Sequence, residues 1–330
     1  MVIGINGLGR IGRCVLKQLL DDERFTVGGV NDLAEPADLA YLLRYDSVYG
    51  VWGREVRAGE GALLVGGEEI PFSDARDPGD IPWREWGAEV VLECTGAFRG
   101  RDDAARHLEA GAERVIISAP SEDADGTFLP GINLDQYDRD QHRVVSLASC
   151  TTNSLAPVAQ VLDQAFGVEY LFLTTVHAYT SSQALVDKPA RKRRRGRAAA
   201  ESIVPTTTGA AQATERVLPR LAGRMDGMAI RVPVPAGSIS DVVATLRREA
   251  TAEGVNEALR QAAGEPPLRG ILRVSDEELV SRDIVGDPCS SIVDALSTRV
   301  LGNRMVKVLA WYDNEWGYAA RLLDCAAHVA

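Results

Sequence analysis

Cys150 lies in "SLASCTTNSLAPVAQVLDQAF", where an apolar run ends and a helical pattern starts near Thr151. A thiol at a helix N-terminus meets the positive end of the dipole and free amides, which favour the thiolate and make it nucleophilic near neutral pH. Its neighbours Ser149, Thr151, Thr152, Asn153 and Ser154 suit anions and polar substrates better than they suit a core. The other cysteines, Cys14, Cys94, Cys289 and Cys325, read as inert buried thiols. Five cysteines at wide, irregular spacing exclude a disulfide framework and any C-x-x-C redox or zinc motif, and a reducing cytoplasm is the expected setting.

A nucleophilic thiol needs a base. Of four histidines, His107 falls on a polar helix, His142 in a charged loop and His328 at the C-terminal end, and all three are expected at the surface. His177, in "LTTVHAYTSSQ", ends a strongly apolar strand beside Tyr179 and Thr180. By position alone, a general base and a structural histidine are both open there.

The run "DKPARKRRRGRAAAE" puts seven cations between Lys188 and Arg197, in a chain with formal net charge -11 and pI near 5.0. It reads as a nucleic-acid patch, a solvated cluster, or the wall of a pocket for a small anion. The acidic balance repels polyanions and membrane surfaces, and no aromatics interleave the run, so the small anion is preferred.

"VIGINGLGRIGRCVLKQLL" holds G-x-G-x-x-G at Gly7, Gly9 and Gly12, after a strand and opening a helix. Gly7 permits the tight turn, Gly9 lets the backbone approach a pyrophosphate, and Gly12 allows helix and strand to pack closely. The helix start at Arg10 and Ile11 offers amides to phosphates. Asp32 stands 20 residues past Gly12 at the end of the next strand. A carboxylate there accepts from ribose hydroxyls and repels a 2′-phosphate, so NAD is favoured over NADP.

The secondary structure around these residues follows from length and pattern. At 330 residues the length suggests two domains. The first half alternates apolar runs ("MVIGING", "FTVGGVND", "VVLECTG", "RVIISAP", "RVVSLAS") with helical patterns such as "RCVLKQLLDD" and "RDDAARHLEAGAE", which predicts a Rossmann-type doubly wound parallel sheet. After Ser149 longer strands follow one another ("YLFLTTVHAY", "GMAIRVPVP", "SISDVVATLRRE", "SSIVDALSTRVLGNRMVKVLAWYD"), which predicts an α+β domain with a mixed or antiparallel sheet. "GYAARLLDCAAHVA" reads as an amphipathic helix with Leu322, Leu323 and Ala326 on one face. No apolar stretch approaches the ~20 residues that span a bilayer, and no secretory signal is read at the N-terminus.

The motifs "INGLGRIGR", "ASCTTNSLAP", "TTVHAYT", "PTTTGAA", "RVPVP" and "WYDNEWGY" together resemble the phosphorylating glyceraldehyde-3-phosphate dehydrogenase family, in its order and spacing over essentially the whole chain. The resemblance implies a dinucleotide-binding domain of residues 1–149 and 315–330, and a catalytic domain of 150–314 with a substrate and interface loop at 178–203. It implies Cys150 as nucleophile and His177 as base. Thr180, Arg195 and Arg231 would hold the substrate phosphate, and Ser149, Thr151, Thr208 and Gly209 the attacking inorganic phosphate. Asn314, with Tyr318 close by, looks like the family's ligand for the nicotinamide carboxamide, and Thr95 and Ser118 line its cofactor site. The resemblance further implies glyceraldehyde 3-phosphate as substrate, 1,3-bisphosphoglycerate as product, NAD as cofactor, no metal, and a cytoplasmic homotetramer.

Three departures stand out. Ser154 replaces the family's common second cysteine and Ser182 a frequent Asp, while Lys188 brings a cation to a loop that in the family reaches a neighbouring subunit's adenosine ribose. NADP is therefore kept as a weaker alternative. Erythrose-4-phosphate dehydrogenase is the sibling reading, disfavoured by the intact "TTTGAA". A Cys–His hydrolase would not need Asp32, and a nucleic-acid-binding protein would rest on residues 188–197 alone.

Overall fold

The computed structural model describes residues 1–330, which divide into two compact units. The first comprises Met1–Leu129, Leu134–Ala148 and Ala319–Ala330; the second Pro130–Asn133 and Ser149–Tyr318.

The first unit is built on β1 (Val2–Asn6), α1 (Arg10–Leu19), β2 (Thr26–Asn31) and α2 (Pro36–Arg44), with a small ribbon of β3 (Tyr45–Asp46) and β4 (Gly50–Val51). There follow β5 (Val56–Gly59), β6 (Ala62–Val65), β7 (Glu68–Ser73), β8 (Val90–Glu93), α3 (Arg101–Glu109), β9 (Arg114–Ile117), β10 (Gly126–Thr127) and β11 (Val144–Ser146). The sheet order is β10-β11-β9-β8-β1-β2-β7-β6-β5. All pairs from β10 through β7 are parallel, as the alternating pattern predicts. Alternation alone does not disclose the antiparallel meander β5-β6-β7 that closes one edge. Its local cause is Gly66-Gly67, two residues at φ 60° and 94° joining Val65 to Glu68, the backbone of a tight hairpin turn.

His107 is not a surface residue. It is 0% exposed, because the inward stripe of α3 is completed by this ring, which meets Trp83. His142 is half-buried against Phe128, and His328 is exposed.

The second unit runs α4 (Cys150–Phe166), β12 (Val168–Ala178), β13 (Val204–Thr207), α5 (Ala210–Val217), β14 (Met225–Val232), β15 (Ser238–Leu246), α6 (Ala252–Gly264), β16 (Leu272–Ser275), β17 (Ser291–Leu301) and β18 (Met305–Tyr312). Its sheet order is β13-β14-β12-β15-β18-β17-β16, with β12·β14 and β16·β17 parallel and the rest antiparallel. The long final run splits into β17 and β18 at Gly302-Asn303, both at positive φ. The C-terminal helix α7 (Trp316–Val329), which belongs to the first unit from Ala319 onward, buries Leu322, Leu323 and Ala326, the face its sequence predicts. No helix is long and apolar enough to cross a membrane.

Along β12 the residues Leu171, Leu173, Thr175 and His177 are buried, while Tyr170 and Phe172 on the opposite face are exposed. Period-two alternation thus delivers His177 to the covered face.

Candidate active site

In the second unit, α4 begins at Cys150 itself, with Ser149 as N-cap: the Ser149 hydroxyl accepts from the Thr152 amide at 3.1 Å. Ala148, two residues before the cysteine, takes φ 55°, a left-handed conformation that costs a non-glycine residue roughly 1–2 kcal/mol. Cys150 Sγ lies 3.5 Å from His177 Nε2. His177 Nδ1 lies 2.7 Å from the Ala178 carbonyl oxygen, and Arg231 Nη1 donates to that same oxygen at 2.8 Å. Arg231 Nη1 also lies 2.8 Å from Nδ1 and can only donate; with its hydrogen on the Ala178 oxygen, an Nδ1–H donating to that same oxygen leaves the Nε2 lone pair facing the thiol, the arrangement a base requires. The parallel register of β12 on β14 sets His177 directly beside Arg231, which explains their contact.

Burial pushes the Cys150 thiol up, against the lowering effects of the Arg231 charge, the Thr151 hydroxyl and the amides of Thr151 and Cys150. The position at a helix start predicts an activated thiolate; desolvation works the other way in this enclosed site. His177 is pushed down to about 3, first by burial and then by Arg231 and Arg195, so the imidazole is held neutral. Arg231 itself is lowered by burial, and no carboxylate offsets its charge; its Nε has no hydrogen-bond partner. Arg231 is half-buried, and a cation withdrawn that far from water is ordinarily paired.

The remaining predicted groups take definite places. Arg195 Nε donates to Thr206 Oγ1 at 3.0 Å, and Lys192 Nζ donates to Thr207 Oγ1 at 2.7 Å. Lys192 stays exposed but reaches the edge that carries Thr208 and Gly209, the N-cap of α5. Arg197 pairs with Asp187 at 2.7 Å, while Arg191, Arg193 and Arg194 are exposed. Thr180 and Ser182 share a hydroxyl hydrogen bond of 2.8 Å, so Ser182 ties the loop where an Asp is frequent in the family. Ser154 bonds Ser240 at 3.2 Å. Thr151 Oγ1 meets Tyr312 Oη at 3.0 Å, and that hydroxyl also meets Thr175 at 2.8 Å; sequence reasoning missed Tyr312, which burial marks only once β18 is placed. Asn314 Oδ1 accepts from Ser238 Oγ at 2.9 Å, and Tyr318 is buried.

In the first unit a cavity of about 310 Å³ opens at the ends of β1, β2 and β8, lined among others by Gly7, Gly9, Asp32, Arg76, Thr95 and Phe98. The strand order reverses at β1, the place where doubly wound sheets take nucleotides. The glycines divide as their spacing predicts. Gly7 has φ 93°; a Cβ on Gly12 would stand 1.9 Å from the Gly7 carbonyl oxygen; above Gly9 the space is open. Asp32 Oδ2 accepts from the Leu8 amide at 2.6 Å and Oδ1 from the Ala34 amide at 2.9 Å, which fixes the carboxylate at the cavity wall. Arg10 spends its side chain on Asp46 at 2.6 Å, leaving Arg10 and Ile11 to act through the start of α1. Ser118 donates its amide to the Glu93 carbonyl at 3.0 Å. Arg76 and Phe98 were not anticipated, and neither was Cys94 as a lining residue; its thiol is pushed up to about 12 by burial and by Glu93. Cys14, Cys289 and Cys325 are buried as expected, whereas Cys94 is only half-buried, because it lies at the cavity. These features fit a dinucleotide. Two further cavities, of about 370 and 330 Å³, lie on the second unit and are lined by neither Cys150 nor His177.

The cavity of the first unit is suited to a dinucleotide, and the second unit sets a thiol against a neutral imidazole and a guanidinium without a carboxylate, groups suited to covalent chemistry on an anionic carbonyl compound. The chain is thus of the class of dinucleotide-dependent dehydrogenases that work through a cysteine. Residues 1–101 match the family model for the glyceraldehyde 3-phosphate dehydrogenase NAD binding domain, and residues 149–314 match the model for its C-terminal domain. Glyceraldehyde-3-phosphate dehydrogenase of Geobacillus stearothermophilus is 52% identical over 328 residues, covering 99% of this chain and 98% of that protein. The Kitasatospora aureofaciens enzyme of the same name is 53% identical over 323 residues, covering 98% and 97%. The chain belongs to the glyceraldehyde-3-phosphate dehydrogenase family.

Proposed function

We propose that this chain oxidises D-glyceraldehyde 3-phosphate with NAD and inorganic phosphate to 1,3-bisphosphoglycerate, the glycolytic reaction. The observation that carries the reading is Arg231: a half-buried guanidinium without a carboxylate, next to the Cys150–His177 pair, with Arg195 near enough to depress the same imidazole. Two cations without counterions beside one thiol call for phosphate-bearing substrates.

Cys150 Sγ adds to the aldehyde carbon, and the thiol proton passes through His177 Nε2 to the new hydroxyl. His177 then takes that hydroxyl proton back as the carbon gives up its hydrogen with two electrons, leaving a thioester on Cys150. NAD, when bound, supplies the acceptor for those electrons. A phosphate oxygen next attacks the thioester carbon; the thiolate leaves and recovers its proton from His177. Amides at the start of α4 stabilise the oxyanion. Thr180, Arg195 and Arg231 hold the substrate phosphate, and Ser149, Thr151, Thr208 and Gly209 the incoming one. The Ser149 and Thr151 hydroxyls have hydroxyl partners, and where the partner donates to them each turns its single O–H to a phosphate oxygen. Gly7, Gly9, Arg10, Ile11, Gly12, Asp32, Thr95, Ser118, Asn314 and Tyr318 bind NAD.

We further infer a cytoplasmic homotetramer. Leu185, Val186 and Ile203 of the 178–203 loop are 78%, 71% and 70% exposed, and Tyr170 and Phe172 are exposed on the outer face of β12, an apolar surface suited to a second copy. The test of function is the initial rate of NADH formation from glyceraldehyde 3-phosphate and NAD, with and without phosphate. Sustained turnover that needs phosphate supports the reading; equal sustained rates without it, or a preference for erythrose 4-phosphate, contradict it.

A further inference from the structure

We propose that His107 is a positioning residue for the dinucleotide, acting through Glu93 on the Asn6–Thr95 edge of the nucleotide cavity. The proposal rests on the reading of that cavity as the NAD site. Trp83, His107, Glu93 and Asn6 are 0%, 0%, 1% and 1% exposed. The Trp83 indole N–H can only donate, and it lies 2.9 Å from His107 Nδ1. Nδ1 is therefore an acceptor and the ring proton stands on Nε2, which faces Glu93 Oε2 at 3.1 Å. That same oxygen accepts from Asn6 Nδ2 at 2.6 Å. The other oxygen, Oε1, accepts from the Thr95 amide at 2.8 Å and from the Thr95 hydroxyl.

Glu93 thus sits in the unit's interior with no lysine or arginine on it, held by hydrogen bonds alone. Such a carboxylate keeps its place only while its donors do. What it holds in turn is the cavity wall. Asn31 Nδ2 donates to Asn6 Oδ1 at 2.8 Å, and Asn31 Oδ1 accepts from the Ala75 amide at 2.9 Å. Asn6, Asn31, Ala75 and Thr95 all line the cavity. The Thr95 amide is also the atom against which the Gly7 turn closes, 2.8 Å from where a Gly7 Cβ would stand. Trp83 and His107 do not line the cavity; His107 Nε2 also lies 3.5 Å from Asn6 Nδ2, two donors that both turn to Glu93 Oε2, so their effect on the nucleotide passes through Glu93 and Asn6.

Direct titration of the full chain with NAD, without aldehyde or phosphate, tests this. For His107→Leu, which removes the donor to Glu93, we expect Kd for NAD to rise at least about tenfold, by analogy with residues one step behind metal ligands. KM for NAD should rise in parallel, while KM for glyceraldehyde 3-phosphate and phosphate stay within about twofold. His107→Gln, whose amide can still donate to Glu93, should bind NAD within about threefold of the unchanged chain. A His107→Leu protein with a lowered melting temperature and unchanged Kd overturns the proposal, because the network then only supports the fold. Should that variant not fold, Glu93→Gln must show the same NAD-specific weakening, and unchanged affinity there overturns it equally. An unmodified chain that binds no NAD overturns the cavity reading, and the positioning role with it.

Discussion

Asp32→Asn tests the cofactor choice with a magnitude worked from the site. The carboxylate is pinned by two backbone amides at 2.6 and 2.9 Å, so it cannot swing away from a ligand entering the cavity. A 2′-phosphate on a ribose hydrogen-bonded to Asp32 brings a charge of about -1.5 to -2 within about 5 Å of the carboxylate. In a half-open cavity, with an effective dielectric constant of about 40, the repulsion is about 3 kcal/mol. That corresponds to a roughly hundredfold preference for NAD over NADP in kcat/KM. Arg76 lines the same cavity and offsets part of the repulsion, so the preference is finite rather than absolute. Asn keeps an oxygen for one of the two amides and loses the charge. The variant should narrow the NAD/NADP ratio to within about threefold, with the larger change on the NADP side. Initial rates for both cofactors at saturating aldehyde and phosphate measure this. A ratio that is unchanged in the variant, or a parent chain that uses NADP as well as NAD, refutes the assignment of selectivity to Asp32.

Other expectations follow from the same geometry. Cys150→Ser should lose dehydrogenase activity and keep its melting temperature and NAD binding, because a hydroxyl is far less acidic than a thiol; near-normal turnover contradicts the nucleophile. His177→Asn should slow turnover by ~10²–10⁴ at neutral pH, measured as kcat, the usual worth of a positioned base. Arg195→Ala should damage kcat/KM at every salt concentration, whereas neutralising Arg191 and Arg193 should cause a modest loss that high salt erases, since exposed cations are screened within ~8 Å at physiological ionic strength. Lys192→Gln should fall between them because its ammonium touches Thr207, and equal salt-insensitive losses from all of these changes would show the outer cations on bound ligand. Gly12→Ala should lower the melting temperature and NAD affinity together, as its Cβ meets the Gly7 carbonyl oxygen at 1.9 Å, an overlap that costs about 3 kcal/mol or more.

Much of this was legible in the chain because the relevant constraints are local. The glycine turn depends on φ at Gly7 and on clearance at Gly12, both fixed by the absence of a side chain. The placement of Cys150 at a helix start depends on Ser149 as a cap one residue before it. What remained hidden depends on pairing between distant segments. Nothing near residue 107 says that its ring will face Trp83 and Glu93, since a short polar helix buries only one stripe and the partner across it lies 24 residues away. Tyr312 reaches Thr151 only through the register of β18, and Arg231 reaches His177 only through the parallel pairing of β12 and β14. The balance of forces on Cys150 was equally out of reach: the helix start is visible in sequence, whereas the desolvation that opposes it is a property of the folded site.

The thioester proposed on Cys150, and its resolution by phosphate, are tested most directly by mixing the chain with NAD and glyceraldehyde 3-phosphate in phosphate-free buffer and following NADH together with the mass of the Cys150 peptide. We expect a burst of about one NADH per Cys150, an acyl group on that peptide alone, and its rapid loss with renewed turnover when phosphate is added. Steady NADH production without phosphate, or an acyl group carried elsewhere than Cys150, would contradict the proposal.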